Sequence, residues 1–174
     1  INENSQAAKN EMICGNLKKV VEPMGHTVYN YGMYTAEDET QLTYVMNGLL
    51  AAILLNSKAA DYVVTGCGTG EGAMLACNVF PGVLCGHIVD SEDAYMFAQI
   101  NDGNAVSMPF AKGFGWGGEL NLEYTFEKLF GFGFGIIQVD FRCSHQRPIG
   151  GTFSGSVMIF GTYKFDRSVA AISS

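Results

Sequence analysis

Apolar positions along the first 130 residues fall into two alternating rhythms. In residues 5–24, Ile13, Leu17, Val20 and Val21 share one helical face, Ser5 stands at a capping position and Pro23 lies at the end, which predicts a helix. Residues 26–31 (HTVYNY) alternate and are rich in strand formers. Glu37, Asp38 and Glu39 place acid where a helix dipole favours it, so a second helix is expected to start there and to run to about residue 57. Leu42, Val45, Met46, Leu49, Leu50, Ile53 and Leu54 form its body, too apolar to be fully exposed. Short apolar runs at 61–65, 82–89 and 105–108 read as buried strands, and 73–77, 90–100 and 118–130 as helices. Strands alternating with helices imply βαβ units and a parallel sheet covered on both faces. The first helix needs a strand before it, of which only Ile1 is present, so earlier residues of that strand are expected to precede Ile1. Trp116 and the aromatic residues of the last helix are read as core.

After residue 130 the rhythm changes. GFGFGIIQVDF and GTFSGSVMIFGTYKF are glycine-punctuated β-like segments that do not continue the alternation. We therefore divide the chain into an α/β domain over residues 1–130 and a C-terminal segment over 131–174, expected to pack on the same domain or on a dimer partner.

Composition narrows the classes. A chain of 174 residues can bury one full core, and 48% hydrophobic against 16% charged residues excludes a disordered chain. The formal net charge of −7, with no basic cluster, argues against nucleic acid and anionic membrane as partners. No apolar run reaches the length of a membrane span, and INENSQ is not a signal peptide. Five scattered cysteines (Cys14, Cys67, Cys77, Cys85 and Cys143) suggest neither a disulfide framework nor a zinc site, and reduced thiols point to the cytoplasm.

Candidate chemistry concentrates in residues 61–82, DYVVTGCGTGEGAMLACNVFPG. A strand, a glycine loop and a helix in succession present backbone N–H groups to an anion. Gly66, Gly68, Gly70 and Gly72 alternate with Cys67, Thr69 and Glu71, which adds a thiol, a hydroxyl and a carboxylate to the loop that offers those donors. Moving a proton between adjacent carbons through an enediolate needs such a set: a base within reach and donors aimed at the developing oxyanion. Either Cys67 or Glu71 could be that base. Plainer roles exist as well: Cys67 as a buried thiol, Glu71 as a first-turn carboxylate, Thr69 as a helix cap, Asn101 and Asp102 as turn formers, and His87 as a satisfied core histidine. Gly68-x-Gly70-x-x-Ala73 also matches a dinucleotide fingerprint, with Asp90 placed as a ribose-binding acid, so a nucleotide-binding module is the alternative.

Taken together, CGTGEG, ACNVFPG and INDGN resemble the motifs of the type B ribose-5-phosphate isomerases and galactose-6-phosphate isomerases. That family carries Cys-Gly-Thr-Gly-x-Gly, Ala-Asn-Lys-x-Pro-Gly and His-Asn-Asp-x-Asn. The resemblance covers residues 61–130 well and the N-terminal part in layout only. It implies a three-layer αβα sandwich with a parallel, flavodoxin-like (Rossmann-like) sheet, and a homodimer whose active site is shared across the interface. It also implies aldose–ketose isomerisation of a pentose or hexose phosphate through a cis-enediolate, without metal or coenzyme. By the same resemblance Cys67 matches the base of one branch, and Glu71 the glutamate that acts where serine replaces the cysteine. Thr69 matches the residue tied to ring opening. Asn101, followed by Asp102, matches the site that holds the enediolate with Gly68, Gly70 and Gly72. Glu3 and Asn4 stand where the family has Asp-His. The chain departs from the pattern at Ile100, which replaces the motif histidine, and in its phosphate-holding arginines, for which Lys112 and Arg142 are the candidates. These departures suit a second alternative, a catalytically inactive sugar-binding relative.

Overall fold

A computed structural model describes residues 1–132. A 3-10 turn at Asn4–Lys9 leads into α1 (Asn10–Val21), and a second at Glu22–Met24 ends it. Next come α2 (Tyr44–Asn56), β1 (Val63–Cys67), α3 (Glu71–Asn78), β2 (Cys85–His87) and α4 (Ser91–Met96). A π-turn at Phe97–Asn101 precedes β3 (Ala105–Pro109) and α5 (Gly118–Phe130). All strand pairs are parallel, in the order β1-β3-β2, with Val63 and Cys85 both opposite Ala105 and Cys67 opposite Pro109. The segment from 133 onward, which holds most of the expected C-terminal unit together with Cys143 and Arg142, lies outside the described residues.

Every residue of the central strand β3 is buried, and successive side chains go to opposite helical layers, as a period of two requires. Val106 and Met108 join Ile13, Val20 and Val21 of α1, Ala94 of α4, and Leu122, Phe126 and Leu129 of α5. On the other face Ala105 joins Val63 and Cys85 with Ala51 and Ala52 of α2 and Cys77 of α3. This is the expected α/β sandwich with helices on both sides of a parallel sheet. No helix among the described residues is long and apolar enough to cross a membrane.

Ile1 and Asn2 occupy the place of the expected first strand. The Ile1 nitrogen donates to the Val64 carbonyl at 2.7 Å, Thr65 Oγ1 donates to the Ile1 carbonyl at 2.8 Å, and Met33 N–H donates to the Asn2 carbonyl at 3.0 Å. Glu3 and Asn4 are thereby carried to the carboxyl edge of β1.

Three expectations need correction. The second helix begins at Tyr44, not at residues 37–39. Asp38 takes the Tyr34 N–H at 2.6 Å and the Thr35 hydroxyl at 2.8 Å, which locks the acidic stretch into a turn, and Thr43 caps the helix instead through the Met46 N–H. Residues 26–31 form no strand; the Asn30 side chain takes the Gly32 N–H, a local turn that competes with extended pairing, and exchanges hydrogen bonds with the Asn10 side chain. Trp116 is not core: it is 95% exposed on a loop where Gly113, Gly115 and Gly117 all have positive φ. Of the α5 aromatics, Phe126 is fully buried and Tyr124 is half exposed.

Helices α2 and α3 meet backbone to backbone. A Cβ at Gly48 would sit 2.6 Å from the carbonyl of Ala76, so α2 reaches its place only because Gly48 has no side chain. Gly48→Ala gains helix propensity of up to about 1 kcal/mol, but overpacking costs about 1–3 kcal/mol, and the clash with rigid backbone decides the sign. We predict net destabilisation for Gly48→Ala in chemical denaturation. Gly15→Ala in α1, where a Cβ meets nothing within 4 Å, should gain roughly 0.5–1 kcal/mol in the same assay.

Candidate active site

The glycine loop, residues 67–72, leaves the carboxyl end of β1 and turns into α3. The β1–β3 pairing continues past the strands: Phe110 N–H donates to the Cys67 carbonyl at 2.9 Å and Ala111 N–H to the Gly68 carbonyl at 3.0 Å. The next two carbonyls are held by side chains. His87 Nε2 lies 2.9 Å from the Thr69 carbonyl, and because a carbonyl only accepts, Nε2 carries the proton. The buried Ser107 hydroxyl donates to the Gly70 carbonyl at 2.5 Å. Four successive carbonyls are thus tied down to β2, β3 and the residues after β3. The N–H groups of Gly68, Thr69 and Gly72 have no partner among the described residues. Unengaged donors of this kind are one requirement of an oxyanion site.

Gly70 has φ 83°, a left-handed conformation, and a Cβ there would lie 2.8 Å from both His87 Nε2 and the Met108 carbonyl carbon. Only glycine fits. Gly68 differs: a Cβ would meet nothing nearer than Ala111 Cβ at 3.8 Å and Gln6 Nε2 at 3.9 Å. Its small size leaves space rather than relieving strain. At Gly72 the neighbour is the Tyr44 ring, 3.3 Å from a notional Cβ, so the start of α2 roofs the first turn of α3.

Cys67 is buried, and the Gly70 N–H points at its sulfur at 3.2 Å. Glu71 is exposed, and its carboxylate makes no hydrogen bond among the described residues. Thr69 is exposed too; its hydroxyl takes the Glu71 N–H at 3.4 Å, while Gly70 occupies the cap position of α3. Glu3 is buried at the same sheet edge, with its carboxylate held by the Ser5 N–H at 2.9 Å and the Ser5 hydroxyl at 2.5 Å. Asn4 is exposed beside it, its N–H on the Leu42 carbonyl. Asp90, the ribose-binding acid of the nucleotide alternative, caps α4 through the N–H groups of Glu92 and Asp93.

Eight of the ten predicted residues therefore gather at one edge: Glu3, Asn4, Cys67, Gly68, Thr69, Gly70, Glu71 and Gly72. Asn101 and Asp102 do not join them. They precede the amino end of β3, whose five residues separate the two edges by roughly 15 Å. Sequence reasoning missed Gln6, Lys9, Tyr44 and Ser107, and it gave His87 no part in holding the loop. Among the described residues no cluster of three His, Cys, Asp or Glu side chains could hold a metal ion.

Residues 2–123 match the family described as Ribose/Galactose Isomerase. Among solved structures, a 4-deoxy-L-threo-5-hexosulose-uronate ketol-isomerase complexed with a tartrate is 65% identical, with a TM-score of 0.74 over 76% of this chain and 62% of that one. A ribose-5-phosphate isomerase from Vibrio parahaemolyticus is 56% identical, with a TM-score of 0.75 over 78% of this chain and 63% of that one. A type B ribose 5-phosphate isomerase from Trypanosoma cruzi, 24% identical with a TM-score of 0.63 over 74% of this chain and 80% of that one, shares the fold. The chain spans 62% and 63% of the length of the first two. No curated protein matches it.

The two loop glycines should respond differently to a methyl group. Gly70→Ala should lower stability by about 1–3 kcal/mol, the cost of a left-handed non-glycine residue, with more from the contact at Met108. Gly68→Ala should unfold at the wild-type temperature in a thermal scan. Equal losses in both variants would contradict the separate roles assigned to them.

Proposed function

We propose, from the premise that this chain belongs to the ribose/galactose isomerase family, that it is an aldose–ketose isomerase working through a cis-enediolate. The observation that carries this reading is the loop itself: four carbonyls engaged by its neighbours, three N–H groups without a partner among the described residues, and a thiol, a hydroxyl and two carboxylates around them. A base removes the proton from the carbon next to the sugar carbonyl, the N–H groups of Gly68, Thr69 and Gly72 receive the oxyanion, and the proton returns to the neighbouring carbon. The Thr69 hydroxyl suits ring opening, being exposed at the mouth.

For the base we favour Cys67. Its sulfur sits at the root of the loop against the Gly70 N–H, while the Glu71 carboxylate lies out in solvent. The substrate is an anionic sugar. We favour a keto-uronate, because the relative 65% identical to this chain is a uronate ketol-isomerase. A pentose or hexose phosphate is the second reading, supported by the ribose-5-phosphate isomerase at 56% identity. No coenzyme enters the scheme.

The working unit is a homodimer that shares its sites. Asn101 cannot reach the loop of its own chain, and α2 and α3 with its cap Val79 expose Val45, Met46, Leu49, Ile53, Leu75 and Val79, each between 48% and 73%. Asn101 of the partner subunit would complete the enediolate site.

Proton NMR in heavy water, with panels of keto-uronates and of aldose and ketose phosphates, tests the activity: deuterium should enter at the carbons flanking the carbonyl. Cys67→Ala should lose at least about a hundredfold in exchange rate, the lower end of what a positioned base contributes, and Glu71→Gln should keep most of it. The reverse pattern would assign the base to Glu71. Mixing Cys67→Ala with Asn101→Ala protein tests the shared site. Exchange should recover to about a quarter of wild type, since half the dimers are mixed and each carries one intact site. No recovery, with mixed dimers present, would refute it.

A further inference from the structure

Lys9 ends the turn at Asn4–Lys9, and its ammonium group lies at the carboxyl edge of the sheet. Nζ donates to the Phe110 carbonyl and, at 2.9 Å, to Gln6 Oε1, and it stands 4.6 Å from the centre of the Phe114 ring. Phe110 is the residue whose N–H holds the Cys67 carbonyl, so the ammonium is one residue from the backbone that fixes the loop. Gln6 extends the connection: its Nε2 is 3.9 Å from the open side of Gly68 and 3.3 Å from the Ser5 hydroxyl.

Lys9 is half-buried and has no carboxylate partner; the one ion pair among the described residues is Lys19–Glu123. Glu119, the acid that feels its charge, is turned to the Gly115 N–H. An ammonium has three donors, and two are engaged by neutral oxygens. A partly desolvated cation facing only neutral acceptors is short of a counter-ion. Beside it the chain leaves room at Gly68, where a Cβ would meet nothing nearer than 3.8 Å.

We propose that Lys9, with Gln6, is the specificity-determining pair that receives the anionic end of the substrate, a carboxylate or a phosphate. This deepens the isomerase reading and rests on it for the identity of the ligand. With the reacting carbonyl at the N–H groups of Gly68, Thr69 and Gly72, an anion on the third Lys9 donor fixes the direction in which the sugar lies along the edge. Lys9 takes no part in proton transfer, so its loss should raise KM and leave kcat.

The test uses the full chain, with tartrate and inorganic phosphate as separate probes in titration calorimetry. Lys9→Met should weaken binding by roughly tenfold, the worth of one charge-assisted hydrogen bond. Lys9→Arg should restore most of it, and Lys18→Met, an exposed lysine of α1, should change nothing. A carboxylate site shows the loss with tartrate, and a phosphate site shows it with phosphate. Equal affinity in Lys9→Met for both probes, or no binding of either to the wild-type chain, overturns the proposal. So does a parallel fall in kcat and thermal stability without a change in KM, which marks a structural lysine. If no sugar exchanges deuterium while anion binding still depends on Lys9, the Lys9 anion site stands and the isomerase reading falls. If exchange proceeds and Lys9→Met keeps the wild-type KM, the isomerase stands and the Lys9 anion site falls.

Discussion

The register of β1 against β3 is the constraint on which the carboxyl edge depends. Because Cys67 pairs with Pro109, the two residues that follow each strand also pair, and the Cys67 and Gly68 carbonyls are used up on Phe110 and Ala111. Ser107, two residues back on β3, then lies under Gly70 and takes its carbonyl. A shift by one residue would turn Ser107 to the other face and put Met108 in its place, leaving the Gly70 carbonyl without its hydroxyl partner. The fully buried β3 makes such a shift costly, since Val106 and Met108 would leave the layer they share with α1 and α5. The loop's geometry is therefore inherited from the core and not created locally.

The second support is the close seating of α2 on α3. Gly48, Ala51 and Ala52 let the helices approach until the α2 backbone nearly touches Ala76. That approach carries Tyr44, at the start of α2, over Gly72. Asn47, one turn on, is fully buried and donates to Thr65 Oγ1 at 3.1 Å, and Thr65 in turn holds the Ile1 carbonyl. One helix thus fixes the roof of the loop and, through Asn47 and Thr65, the strand-like residues that lead to Glu3.

What the sequence discloses follows the range of the interactions. The strand that leads to Cys67, the glycine loop after it and α5, which runs over Gly118–Phe130 as expected, rest on local patterns of apolar and glycine residues. So do the six edge residues of the loop at 67–72, whereas Glu3 and Asn4 are marked only by the family resemblance. What stayed hidden was decided by partners far away in the chain or by competition within a turn. Ser107 reaches Gly70 across 37 positions and Lys9 reaches Phe110 across 101, and no periodicity announces either. Asp38 could have headed a helix on its charge alone; the Tyr34 N–H and Thr35 hydroxyl decided otherwise. Trp116 resembles core by composition, but it sits among three left-handed glycines that keep the chain on the surface.

The separation of Asn101 from Cys67 constrains any dimer that shares its sites. A partner must bring the amino edge of its sheet to the carboxyl edge of the first, so the strands of the two subunits must run in opposite directions. A two-fold axis perpendicular to the strands does this, and being isologous it makes two identical composite sites at once. The face presented to the axis must be apolar and must lie beside the loop. The layer formed by α2 and α3 suits both conditions, because it exposes Leu49, Ile53 and Leu75 and its Tyr44 lies over Gly72. Pairing through that layer would remove water from the first turn of α3 in the same step that delivers the partner's Asn101. With water excluded, the N–H donors of the proposed scheme would act on the enediolate in a medium of lower dielectric, where each would be worth more. On the proposed reading, assembly and catalysis would then be a single event: the isolated chain would hold the base and the donors, and the dimer would supply the closure and the last polar group.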